Sequence, residues 1–165
     1  MNEVKEDVLF QRVEDDYGET ALQADSGVDS RKYLIFVVDN LKIGLDAEYV
    51  VEIMSSYTAT YLPVMPGYIE GIFNMRGQII PIMDIRLRLG KCPYEGRSLL
   101  VVLDYNDTQL GIKVDAVELM LDIPNESIVP IPSQSAQKLV SGMCTLPDGS
   151  GTMLVLDCDQ LIPHE

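Results

Sequence analysis

From Lys32 onward the chain is written in short β-type segments, and the same series of segments occurs twice. The first copy reads Leu34-Ile35-Phe36-Val37-Val38-Asp39, then Ile43-Gly44-Leu45, then Val51-Glu52-Ile53-Met54. The second reads Leu99-Leu100-Val101-Val102-Leu103-Asp104, then Leu110-Gly111-Ile112, then Val117-Glu118-Leu119-Met120. Further matches follow in order: Leu62-Pro63-Val64 with Val129-Pro130-Ile131, Ile69-Glu70-Gly71-Ile72 with Val140-Ser141-Gly142-Met143, and Ile82-Met83-Asp84 with Val155-Leu156-Asp157. The separations grow from 65 (34 to 99) through 66 (52 to 118) and 71 (71 to 142) to 73 (84 to 157), as loop insertions would produce. Short Val-, Ile- and Leu-rich runs ended by Gly, Pro, Asn or Asp indicate small barrels or a sandwich. The expected architecture is mainly β. It has a first unit of about five strands over 32–90, a connector over 91–97 and a second unit over 98–165. Neither unit is large enough to bury much apolar surface alone, so the two should pack together and leave a groove between them. Chance recurrence among β-rich segments is the competing view.

Strands are expected at 33–38, 42–46, 71–75, 78–85, 98–104, 109–114, 117–121, 127–130 and 152–157. Residues 49–55 read as a helical turn or a strand, and 84–89 as a short helix stopped by Gly90. Asp39-Asn40, Arg76-Gly77 and Pro147-Asp148-Gly149 read as turns. Pro81 offers no N–H, so its strand should lie at an edge or carry a bulge.

Charge narrows the partners. Twelve Lys and Arg against 26 Asp and Glu give −14, the opposite of a nucleic-acid footprint and a poor match to anionic membranes. Residues 1–30 hold nine acids against Lys5 and Arg12 and read as a flexible acidic extension ending at residue 31. Deleting residues 1–30 should leave the thermal midpoint within a few degrees; loss of cooperative unfolding would show that they pack on the body. No apolar stretch of membrane-spanning length and no apolar leader occurs, so a cytoplasmic protein without membrane insertion is expected.

Catalytic classes drop out in turn. The only histidine is His164, beside the C-terminus, where nucleophile–imidazole catalysis is poorly served. Neither G-x-G-x-x-G nor a phosphate-loop motif is present, and no carboxylates have metal-ligand spacing. No enzyme, cofactor or metal is expected. Cys92, Cys144 and Cys158 lack a C-x-x-C pattern and read as small buried hydrophobes.

What remains points to protein contacts. Arg76, Arg86, Arg88, Lys91 and Arg97 form the densest positive stretch, either a solvated face or a contact. Arg76, at a glycine turn between apolar strands, is either a presented guanidinium or half of an ion pair with an internal acid. The methionines read as core filler or as an adaptable binding surface. Glu52 and Glu118, at matching repeat positions, should sit at rims.

The stretch Tyr68-Ile69-Glu70-Gly71-Ile72-Phe73-Asn74-Met75-Arg76-Gly77-Gln78-Ile79-Ile80-Pro81-Ile82-Met83-Asp84-Ile85-Arg86 resembles the signature of CheW-like chemotaxis coupling proteins: G-φ-x-N-L-R-G followed by φ-φ-P-φ-φ-D-φ-R. The match extends from about Lys32 to Ile162, with Met75 in place of the usual Leu. The acidic extension is outside the family pattern, and the chain stops soon after Leu161, where many members continue into a further helix. The resemblance implies two SH3-like five-stranded barrels around a hydrophobic cleft. It implies a non-enzymatic adaptor joining the regulatory domain of a CheA-type histidine kinase to the cytoplasmic tip of methyl-accepting chemoreceptors. Such an adaptor is a monomer alone and forms arrays with its partners. Carried over by position, Val50, Glu52 and Gly71 resemble the kinase-facing site, and Arg76, Val117 and Met120 the receptor-facing site. A twitching or other sensory pathway is the alternative, and a small ligand-binding β protein a more distant one; a CheV-type protein would need a receiver domain after residue 165.

Overall fold

Two hairpins organise the molecule. In the computed structural model, which describes residues 29–93, 96–131 and 139–162, Asp39 and Asn40 have φ of 51° and 64°, and Asn106 and Asp107 have φ of 51° and 63°. Two successive left-handed residues make the primed two-residue turn whose twist suits antiparallel strands, and Asn and Asp tolerate that conformation best after glycine. One turn joins β1 (Ser30–Val38) to β2 (Leu41–Asp46); the other joins β6 (Leu99–Tyr105) to β7 (Thr108–Val114). Tyr33 pairs with Asp46 as Leu100 pairs with Lys113, so the two hairpins have one register, 67 residues apart (33 to 100).

The runs Leu34-Ile35-Phe36 and Val101-Val102-Leu103 are apolar at every position because β1 and β6 are covered on both faces. Leu34, Phe36 and Val38, with Val101 and Leu103, enter one large cluster drawn from both hairpins. The intervening residues turn away from it. Tyr33 and Ile35 join Ile123, Cys144, Leu146, Met153 and Val155. Leu100 and Val102 join Phe73, Met75, Ile80 and Ile82.

The other strands are β3 (Val50–Met54), β4 (Ile69–Met75), β5 (Gln78–Asp84), β8 (Ala116–Pro124), β9 (Val129–Pro130), β10 (Val140–Thr145) and β11 (Thr152–Leu156), with short helices α1 (Ile85–Arg88) and α2 (Cys158–Leu161). One sheet runs β8-β1-β2-β11-β10-β9 and the other β3-β6-β7-β5-β4. They form two SH3-like barrels, here called the first and second. The internal repeat is visible in them. Gly71 faces Ile82 as Gly142 faces Val155, and Asp84 and Asp157 cap α1 and α2 by accepting from the backbone N–H of Arg86 (3.0 Å) and Asp159 (3.1 Å).

The pairing departs from the expected division in one respect. Each barrel takes its central hairpin from one half of the chain and its outer strands from the other, so neither barrel is a contiguous segment on one side of 91–97. The two hairpins are interchangeable in pattern, and nothing local decides which sheet each enters. Finer differences follow. β1 begins at Ser30, paired with Pro124, inside the range assigned to the acidic extension; the rest of that assignment lies in residues 1–28, outside the described residues. β10 and α2 answer to β4 and α1 but were not expected as elements. Thr60 bridges Ile72 as Val129 bridges Met143, so Thr60 and not Leu62 is the counterpart of Val129.

Pro81 lies in β5, an inner strand, yet no ladder bond is lost there. Its partner Ile72 gives both backbone groups to Thr60 (2.7 and 2.9 Å), and pairing of β5 with β7 starts only at Ile82. Among the cysteines, Cys144 and Cys158 are buried as expected but Cys92 is exposed in the connector. Burial pushes the Cys158 thiol up to about 12 and that of Cys144 upward too. A disulfide reagent at neutral pH should therefore label one of the three thiols quickly in the native protein and all three in denaturant; fast labelling of a Cys92→Ser variant would contradict this.

Candidate functional site

The sequence-selected residues sort by barrel. Val50 and Glu52 on β3, Gly71 on β4 and Arg76 in the β4–β5 turn belong to the second barrel; Val117 and Met120 lie on β8 in the first. β3 and β8 are both end strands of their sheets, and each carries a bulge. Val50 pairs with Leu103 as Val117 pairs with Phe36, and both valines are half-buried against the central cluster. Past the bulge, Glu52 pairs with Val102 as Leu119 pairs with Ile35. Glu52 and Glu118 are thus not counterparts, as the sequence match had them. The bulge places Glu118 opposite Val51, and Glu52 opposite Leu119. The two edges present matching apolar positions: Ile53 is 40% exposed and Met120 46%. Val51 and Leu119 add to these edges and were not singled out from sequence; alternation along β3 outside its half-buried positions was the available signal.

Arg76 combines both readings offered for it. It has φ of 52° at its turn, and its side chain is 74% exposed. It also reaches Glu52 at 3.4 Å across the second barrel. The residue assigned to one partner therefore touches a residue assigned to the other. An exposed pair of this kind adds less than about 1 kcal/mol to stability.

Gly71 is fixed by close approach. The Thr60 carbonyl oxygen lies where a Cβ would stand. The segment between β3 and β4 is held there by the Thr60–Ile72 bridge and by Tyr57, whose hydroxyl donates to Glu70 (2.9 Å) and whose ring lies 6.1 Å from that of Phe73. Burial and the Glu70 carboxylate both push the Tyr57 phenol upward. Lys113 completes this set at 3.3 Å from Glu70.

A groove between the barrels is lined by Ser55, Arg97, Ser98, Leu99, Asp115, Ala116 and Val117. One wall is anchored by Arg86, whose side chain is only 12% exposed. Its Nε donates to Asp115 (3.2 Å), one terminal nitrogen to Asp39 (3.2 Å) and the other to the Cys92 carbonyl (2.9 Å). Asp39 belongs to the β1–β2 turn and Asp115 joins β7 to β8, so one guanidinium ties both barrels and the connector together. Arg88 donates to the Gln160 carbonyl (2.8 Å) and lies 4.7 Å from the Tyr68 ring centre. Most of the positive stretch is therefore committed to structure.

Residues 32–165 match the family model described as the CheW-like domain. The chain belongs to the CheW-like family. It is 29% identical over 140 residues to the chemotaxis protein CheW of Klebsiella aerogenes, covering 82% of this chain and 83% of that one. It is 30% identical over 130 residues to CheW of Treponema pallidum, covering 72% and 74%. A crystal structure of the scaffolding protein TtCheW from Thermoanaerobacter tengcongensis superposes with a TM-score of 0.72 at 28% identity, covering 78% of this chain and 90% of that chain. For a CheW-like chain, two apolar, bulged edge strands flanking one groove are an arrangement suited to protein contacts.

Proposed function

We propose that the protein is a non-enzymatic cytoplasmic adaptor that joins the regulatory domain of a CheA-type histidine kinase to the cytoplasmic tips of chemoreceptors. The observation that supports this reading is the pair of equivalent edges, Val50 with Ile53 on β3 and Val117 with Met120 on β8. One chain thereby offers two similar docking faces to two partners, and two faces used head to tail extend an array. In this reading Val50, Glu52 and Gly71 serve the kinase, and Val117 and Met120 serve the receptor beside the groove. Arg76 stands between the two sets through its contact with Glu52.

Because Val50 also packs on the core, Ile53 is the cleaner probe. Ile53→Asp should weaken binding of the kinase regulatory domain by about 2 kcal/mol or more in calorimetry with the thermal midpoint retained; unchanged affinity removes this face. Arg76→Ala should cost about 1.5–3 kcal/mol of receptor binding, and less than about 1 kcal/mol of stability. A receptor titration that does not move overturns its role as an anchor. Similarity to the protein FrzA of Myxococcus xanthus, 29% over 104 residues and 62% of this chain, favours a second reading in which the same adaptor serves another sensory pathway. Capture by the kinase domains of each pathway separates the two.

A further inference from the structure

The two barrels differ at one corresponding place, and the difference opens a cleft. In the second barrel the bulge residue of β4 is Glu70, and Lys113 on β7 lies 3.3 Å from it. The counterparts in the first barrel are Ser141, the bulge residue of β10, and Asp46 at the end of β2. A cation held by an acid is replaced by an acid facing a small hydroxyl residue. The space becomes a cleft of about 250 Å³ lined by Asp46, Ser141, Asp157 and three tyrosines, Tyr33, Tyr49 and Tyr105. The tyrosines are set. Tyr33 is buried, Tyr49 meets Tyr105 edge-to-face at 5.0 Å, and the Tyr105 hydroxyl donates to Asp159 (2.6 Å).

The Asp46 carboxylate is only 12% exposed. One oxygen accepts from the Glu48 backbone N–H (3.0 Å), and the other takes a guanidinium N–H from Arg31 at 3.1 Å. Arg31 is the second residue of β1, at the end away from the β1–β2 turn, and its own side chain is 57% exposed. A mostly buried charge is thus neutralised by a loosely held one, and such an exposed partner is easily exchanged. Tyrosine rings beside a carboxylate favour a planar, weakly hydrated cation over a strongly hydrated one.

We propose that this cleft is a docking site for an arginine side chain of a protein partner, with Arg31 as the resident group that the partner's arginine displaces. The chain's charge of −14 favours a basic partner in the same direction. None of the lining residues is among those proposed to face the kinase or the receptor, so the site is tested apart from the adaptor reading.

The test is a nuclear magnetic resonance titration of the full chain with blocked arginine, N-acetyl-arginine methylamide, following the tyrosine ring signals. Arg31→Ala removes the tethered competitor and should tighten binding by at least about threefold over wild type. Blocked citrulline, the neutral isostere, should leave the rings unmoved. Ser141→Lys, which builds a cation into the cleft while keeping Asp46, should abolish the arginine shifts, with the thermal midpoint checking that the variant is folded. Absence of saturable shifts in Arg31→Ala, equal binding of citrulline, or undiminished binding in a folded Ser141→Lys would each overturn the proposal.

Discussion

Replacing Arg86 by alanine should lower the unfolding free energy by about 3–5 kcal/mol, the range for removing one member of a buried ion pair. The loss centres on Asp115. Its carboxylate, 14% exposed, would lose the guanidinium and keep the Asp39 backbone N–H (2.8 Å) of the β1–β2 turn. Asp39 retains Lys91 at 3.7 Å, so its share is smaller. Urea denaturation measures the change. A double variant, Arg86→Met with Asp115→Asn, removes charge from both sides and should recover a good part of the stability, because the penalty arises from the abandoned carboxylate. A single variant within about 1 kcal/mol of wild type would mean that water reaches Asp115 freely. Since Asp115 is continuous with Ala116 and Val117, the same substitution should also disturb the groove wall before the edge proposed to face the kinase.

The second large effect is expected at Gly71. Gly71→Ala forces a methyl group against the Thr60 carbonyl oxygen, a backbone atom that has no rotamer to escape into. Overpacking of this kind costs about 1–3 kcal/mol, and relief requires moving residue 60 off β4 with loss of the Thr60–Ile72 bonds. Displacement of that segment alters the edge carrying the residues proposed to face the kinase. Kinase affinity should therefore fall more than receptor affinity. Hydrogen exchange reports the intermediate step: the Ile72 and Thr60 amides should lose protection while those in β1 and β6 keep theirs. Retained protection at both amides would show that the chain absorbs the methyl group in place. Gly142, whose Cβ would stand 2.8 Å from Ile128 Cγ2 and 3.1 Å from the Val129 oxygen, offers the matched control in the other barrel.

Much of the architecture is legible in the amino-acid order because it rests on local rules. Continuous apolar runs at Leu34–Val38 and Leu99–Leu103 mark strands covered on both faces. Asp39-Asn40 and Asn106-Asp107 mark two-residue turns, and Arg76-Gly77 another. The repeat itself carries the expectation of two like barrels, and the segment from Tyr68 to Arg86 carries the family. The same repeat contained the signal for β10 and α2, through Gly142 opposite Gly71 and Asp157 opposite Asp84.

What the amino-acid order determined by itself is thus the strand-and-turn grammar and the doubling of the unit. The first follows from short apolar runs and from the φ preferences of turn residues, the second from the recurrence of the same segments in the same order. The tertiary structure decided the rest. Which hairpin enters which sheet is a non-local choice between two equivalent patterns, and the chain exchanges them. The register past each bulge is likewise invisible to a segment match, because an extra residue shifts every later pair; Glu52 and Glu118 were separated in this way. Arg76 and Arg86 look alike in sequence, both arginines in a positive stretch. Only the fold brings Asp39, Asp115 and the Cys92 carbonyl around Arg86 and leaves Arg76 in solvent beside Glu52, since the acids that pair with a guanidinium come from parts of the chain that meet only once both barrels are assembled.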